Sequence, residues 1–193
     1  ETGLERRCER SLNRLPLTNP SLLLQCQLPT TTLPTTLAPP DGLRGVVVYN
    51  SFGSLLWPKK GLRPLSVPVL MVGGSLDLVT PPIAEQLSLF LPVGHDRSRL
   101  VLVDGGSHFS PVRVGVKEEA LLRLGSDLVG APPRAVQALL LRLTLGFLES
   151  VEPPPAQAMS PQRLRQDGVS AYVMDGPAAM DWQRRLTPLP AGQ

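Results

Sequence analysis

Two residues in this sequence have the type and setting for acid–base chemistry, Asp77 and His108. Asp77 lies in Val72-Gly73-Gly74-Ser75-Leu76-Asp77-Leu78-Val79-Thr80-Pro81, just past an apolar run. His108 lies in Asp104-Gly105-Gly106-Ser107-His108-Phe109, just past the next one. A carboxylate within reach of an imidazole accepts its N–H, fixes its tautomer and stabilises the imidazolium formed when the ring acts as a general base. The flanking glycines let the backbone turn sharply and approach a ligand or a neighbouring loop closely. Each residue also has a plainer use. Asp77 can serve the turn before Thr80-Pro81-Pro82, and His108 can be a structural loop histidine. Asp104 is the rival acid, with capping of its own turn as the ordinary reading. His95, beside Asp96, reads as a surface residue, and Ser75, Ser107 and Ser110 read as turn donors.

These residues need elements to position them. Val67–Val72 and Arg99–Val103 are continuous apolar runs, as is Gly45–Tyr49, and such runs mark strands buried on both faces of a parallel sheet. Between the second and third runs, Pro81–Leu91 predicts a helix with Ile83, Leu87 and Phe90 on its inner face. Pro132–Val151 predicts the longest helix, with Val136, Leu139, Leu140, Leu143 and Phe147 inward. Strand alternating with helix implies an α/β architecture, and the carboxyl ends of its strands are where such sheets build sites. Residues 1–15 and 19–26 predict two short helices. Residues 161–185 are expected to hold one or two more, with Tyr172, Met174 and Trp182 as packing anchors.

The segment from Gly45 to about Pro111 resembles the C-terminal part of an α/β-hydrolase, where the acid follows one late strand and the His follows the last. More narrowly, Val67–Pro82 together with Gly105-Gly106-Ser107-His108-Phe109-Ser110 resembles the bacterial dienelactone-hydrolase and platelet-activating-factor-acetylhydrolase-like group. Asn19-Pro20-Ser21-Leu22-Leu23-Leu24-Gln25-Cys26 is similar to the region those proteins place before the late strands, and the helix over 134–150 fits as well. The resemblance implies the late-strand portion of a parallel hydrolase sheet with flanking helices. It implies residues 1–28 as a helical lid or insertion, 29–42 as a Pro/Thr-rich linker, 43–151 as the C-terminal half of the core, and 152–193 as a Pro-rich break with a helical tail. It gives Asp77 the acid role and His108 the base role in hydrolysis of a carboxylic ester, lipid or small, through an acyl-serine, with no metal and no organic cofactor.

The Gly-x-Ser-x-Gly turn that carries the nucleophile in that fold does not occur in this sequence. The simplest account puts the Ser in a missing N-terminal half. Tyr49-Asn50-Ser51-Phe52-Gly53 is a degraded version of the motif, but Pro58 and Gly61 spoil the helix that should follow. The bland reading of Ser51 is a polar turn beside the site. A non-catalytic α/β module for binding or interaction is the alternative to an enzyme portion. A portion with an unpaired inner sheet edge should be marginally stable alone, self-associate, or pair with its missing half.

Composition narrows the field further. Hydrophobic residues are 42% and charged residues 18% of 193, enough for a core. The net charge of +3 comes without a basic run, which argues against a nucleic-acid surface. No apolar stretch reaches the roughly 20 residues of a membrane helix. Cys8 and Cys26 fall on the two leading helices, and the sequence leaves a bridge and two free thiols both open. A bridge would suit a secreted or periplasmic setting, though the compartment stays open. Leu12, Leu15, Leu22, Leu23 and Leu24 are lid candidates, with core packing as the alternative.

Overall fold

The computed structural model describes residues 3–12, 18–28, 40–56, 66–111, 130–153 and 156–186. Most of the expected linker, residues 29–39, lies outside them, as do Leu15 and the stretch around Pro58–Gly61. Two short helices lead, α1 (Gly3–Leu12) and α2 (Ser21–Gln25). Three strands follow, β1 (Val46–Tyr49), β2 (Val69–Gly74) and β3 (Arg99–Val103). Between β2 and β3 a π-helical turn, Ile83–Leu87, runs into one α turn, Ser88–Phe90, together called α3 here. Then come the long α4 (Pro133–Val151), strands β4 (Gln162–Gln166) and β5 (Val169–Met174), and α5 (Gly176–Leu186).

The chain is α/β with a five-stranded sheet in the order β1-β2-β3-β5-β4. β1, β2 and β3 are parallel neighbours, as the apolar runs predict. The sheet as a whole is mixed, however, which corrects the purely parallel expectation. β5 pairs antiparallel with β3, and β4 antiparallel with β5. The segment expected to be helical over 161–185 is therefore a hairpin and then a single helix. Its turn is Asp167-Gly168, with both residues at positive φ (49° and 82°), the conformation two-residue hairpins need. Tyr172 is not a core anchor. It is exposed on the outer face, where Arg163, its cross-strand partner, lies over its ring.

The pleat sends alternate residues of each strand to opposite faces. Leu70, Val72, Val101, Val103, Ala171 and Val173 meet Val136, Leu139, Leu140, Leu143 and Phe147 of α4. Val69, Met71 and Leu100 meet Leu87, Leu89 and Phe90 of α3, and Ala179 of α5. Helices thus cover both faces. The predicted inner face of α4 is the observed one. That of α3 is not. Ile83 is 49% exposed, while Glu85, Gln86 and Leu87 are all buried. Three consecutive residues can face inward because the π turn is wider than an α turn. β1 is only partly buried, with Tyr49 exposed, unlike the fully buried β2.

Cys8 and Cys26 are bonded to each other, so α1 and α2 form one closed unit. A cross-link over a loop of this length restrains the unfolded chain by about 3 kcal/mol. Reduction with dithiothreitol should therefore speed amide exchange in α1 and leave β2 and β3 protected. Equal loss of protection across the sheet would contradict that local role.

Candidate functional site

The site forms where β1, β2 and β3 end. Two glycines set its spacing. A Cβ at Gly74 would lie 2.1 Å from the carbonyl oxygen of Gly106. The two loops touch backbone to backbone, as the paired Gly-Gly sequences allow. Hydrogen bonds then zip them together. Ser75 N–H donates to Val103 O (2.9 Å), Leu76 N–H to Gly106 O (2.9 Å), and Gly105 N–H to Ser75 Oγ (2.8 Å). Asp77 and His108 follow directly on these two loops.

Gly74→Ala should therefore push the loops apart. The obstacle is backbone and cannot rotate away, so the cost should reach the upper end of the roughly 1–3 kcal/mol typical of overpacking. Gly176→Ala is the control, because an added methyl there meets open space. Urea unfolding midpoints that move equally for both would contradict the close-approach account.

The carboxylate of Asp77 is fully buried, and among the described residues no other acid meets the ring. Its Oδ1 accepts the N–H groups of Val79 (2.9 Å) and Thr80 (2.7 Å), and its Oδ2 accepts the Thr80 hydroxyl (2.7 Å). His108 Nδ1 lies 3.0 Å from Oδ2 and 3.2 Å from Oδ1. Asp77 thus serves its turn and meets the imidazole at once. An ionised carboxylate only accepts, so this pattern puts the proton of a neutral ring on Nδ1 and the lone pair on Nε2. Nε2 has no partner among the described residues, and the side chain is 27% exposed. Phe109 packs edge-on against the ring at 5.3 Å.

The rival residues lie elsewhere. Asp104 is exposed and contributes its backbone N–H to Ser170 O. His95 bonds Asp96 on the surface (3.1 Å). Ser75 and Ser110 accept backbone N–H groups in their turns, contrary to the donor role expected of them, Ser75 Oγ taking the Gly105 N–H and Ser110 Oγ the Ser107 N–H at 2.9 Å. Among the described residues Ser51 Oγ is buried and has no hydrogen-bond partner, and Ser54–Leu56 after it form a turn.

Four residues of the site were not predicted: Asn50, Thr80, Glu85 and Gln86. Thr80 Oγ1 lies 2.7 Å from Asp77 Oδ2, 3.1 Å from Asn50 O and 3.2 Å from His108 Nδ1. Gln86 Nε2 donates to Ser51 O (2.6 Å) from beneath, and its side chain occupies the space a Cβ at Gly73 would need. Glu85 is a buried carboxylate, and among the described residues none of its partners is a cation. Its Oε1 accepts from Asn19 Nδ2 (2.6 Å), Ser21 Oγ (2.8 Å), Gln25 Nε2 (3.1 Å) and Ser54 Oγ (2.8 Å). Its Oε2 accepts the N–H groups of Gly53 (2.9 Å) and Ser54 (3.0 Å). Burial alone would raise its pKa, but the hydrogen bonds from Asn19, Ser54 and Gly53 outweigh burial and hold it below the ordinary value. The leading helices are gripped here too. Arg7 Nε donates to Leu55 O (2.7 Å), and Gln25 Oε1 accepts Leu55 N–H (2.8 Å). Of the lid candidates, Leu23 and Leu24 are exposed.

Among the described residues no group of His, Cys, Asp and Glu could hold a metal ion, and no helix is long and apolar enough to cross a membrane. No family model, curated protein or solved structure matches this chain.

Proposed function

We propose that this chain is the C-terminal acid–base portion of a serine α/β-hydrolase acting on carboxylic esters. The observation that carries the reading is the 3.0 Å contact between His108 Nδ1 and the buried Asp77 carboxylate, past the ends of adjacent parallel strands. The tautomer it favours leaves Nε2 free to take a proton from a serine hydroxyl as that oxygen attacks an ester carbonyl. The same proton then goes to the departing alcohol, and water repeats the sequence to release the acid. Phe52, Leu76, Leu78 and Phe109 are exposed on the loops around His108, which suits an apolar acyl or alkyl group. The nucleophile and the oxyanion donors belong to a stretch outside these residues, and the disulfide-closed α1–α2 unit serves as a lid.

The test uses the complete reading frame. A serine-directed fluorophosphonate should label the protein at a Ser outside these 193 residues, and His108→Ala should abolish the labelling. A complete protein that is folded, unlabelled and inert toward p-nitrophenyl esters would overturn the reading in favour of a non-catalytic module. Labelling at Ser51 would overturn the split-site part alone.

A further inference from the structure

We propose that Asn50 is a positioning residue of this site, holding the backbone of His108 so that the ring meets Asp77. The purpose assigned to it rests on the hydrolase reading, whereas its contacts do not. Asn50 is the first residue past β1 and is buried. Three of its polar groups have separate anchors. Its N–H donates to Val72 O (2.8 Å), extending the β1–β2 ladder. Its carbonyl oxygen lies 3.1 Å from the Thr80 hydroxyl, as the longer branch of a bond that hydroxyl shares with Asp77. Its side-chain Nδ2 donates to His108 O (2.6 Å), with Ser107 O further off at 3.4 Å. One residue therefore touches the strand that leads to Asp77, the threonine that bonds Asp77, and the loop that carries His108.

The backbone explains why this residue is Asn. Its φ is +47°, a left-handed conformation that Gly, Asn and Asp adopt with least strain. Its side chain faces carbonyl oxygens, so a donor is needed there. Gly has no side chain, and Asp would set a carboxylate against carbonyls. Of the three, Asn alone satisfies both requirements. The turn is held in place from behind, because Glu85 binds the N–H groups of Gly53 and Ser54. Strained residues persist where their surroundings over-determine them, and those places are often functional.

The experiment compares Asn50→Gly and Asn50→Asp in the complete protein labelled with ¹⁵N at histidine. Asn50→Gly keeps access to positive φ and deletes only the side chain, so it should fold, and it carries the test if Asn50→Asp does not. The Nδ1–H of His108 should exchange with solvent about tenfold faster in both variants, the size expected when one hydrogen bond is lost. Ester turnover should fall by a comparable factor with KM nearly unchanged. A lower melting temperature with unaltered Nδ1–H exchange would reduce Asn50 to a structural role and overturn the proposal. Faster exchange in a protein whose parent hydrolyses no ester would uphold the positioning and overturn the hydrolase reading instead.

Discussion

The Glu85→Gln protein is expected to unfold in urea about 3–5 kcal/mol more readily than its parent. Every neighbour of the carboxylate presents a hydrogen to it: Asn19, Ser21 and Gln25 from the leading helices, Gly53 and Ser54 from the turn after β1. An amide keeps one acceptor oxygen and turns an NH2 toward the groups at the other position, where the donor-only partners are the Asn19 and Gln25 amide N–H groups at Oε1 or the backbone N–H groups of Gly53 and Ser54 at Oε2. At least two buried N–H or O–H groups then lose their partner, at about 1–3 kcal/mol each. The pH dependence follows from the same bonds. The folded carboxylate titrates below its ordinary value near 4.5, so it stabilises the fold fully above that pH. This contribution drains away as pH falls below 4.5 and through the lower, folded value. The glutamine protein has nothing to lose in that window, so the two stabilities should converge on acidification. Urea titrations from neutral pH downward check this, and a gap that stays constant would show that the charge is not what matters.

If the proposed hydrolase function holds, Asp77→Asn should reduce ester turnover by the complete protein roughly 10⁴-fold, the scale seen when a triad acid becomes an amide. The direction of the hydrogen bonds gives the reason. Val79 and Thr80 present N–H groups to Oδ1, so the new amide oxygen settles there. Its nitrogen then occupies the Oδ2 position and donates toward Nδ1, 3.0 Å away in the parent. The ring proton moves to Nε2, the atom that must be bare to act as a base. The fold should persist, because the Asp77 turn keeps its main acceptor. Two measurements separate the cases: ¹⁵N spectra should show the proton transferred between ring nitrogens, and turnover should collapse with it. Turnover that survives the tautomer change would remove His108 from the base role.

Strands β2 and β3 are legible in the sequence because their residues face apolar layers on both sides, leaving little room for any polar side chain. The inner face of α4 is legible for a related reason, since Leu139, Leu143 and Phe147 follow the helical period without interruption. The adjacency of Asp77 and His108 follows from the pairing of those strands. Other parts were hidden by distinct causes. The β4–β5 hairpin has one face in solvent, and Gln162-Arg163-Leu164-Arg165-Gln166 offers a single apolar residue to show its period. Its Asp167-Gly168 turn was the available signal. Glu85 reads as an outward residue on any α-helical wheel, and its partners at 19, 21 and 25 are distant in sequence. Asn50 was visible as part of a polar turn, but nothing local reveals that its amide meets His108.

The π turn in α3 has a bearing on inheritance. It amounts to one residue more than an α-helix would spend on the same rise, and that residue shifts the phase of everything before it by about 100°. Glu85 and Gln86 both point inward only because of this shift. Glu85 serves the leading helices and the Gly53–Ser54 turn, while Gln86 braces Ser51 from below. A deletion of a single codon between Ile83 and Leu87 would restore the ordinary helical phase and turn one of the two outward. The docking of the N-terminal unit and the support of the loop beside His108 are thus both met only while the extra residue is kept, and its loss would sacrifice one of them.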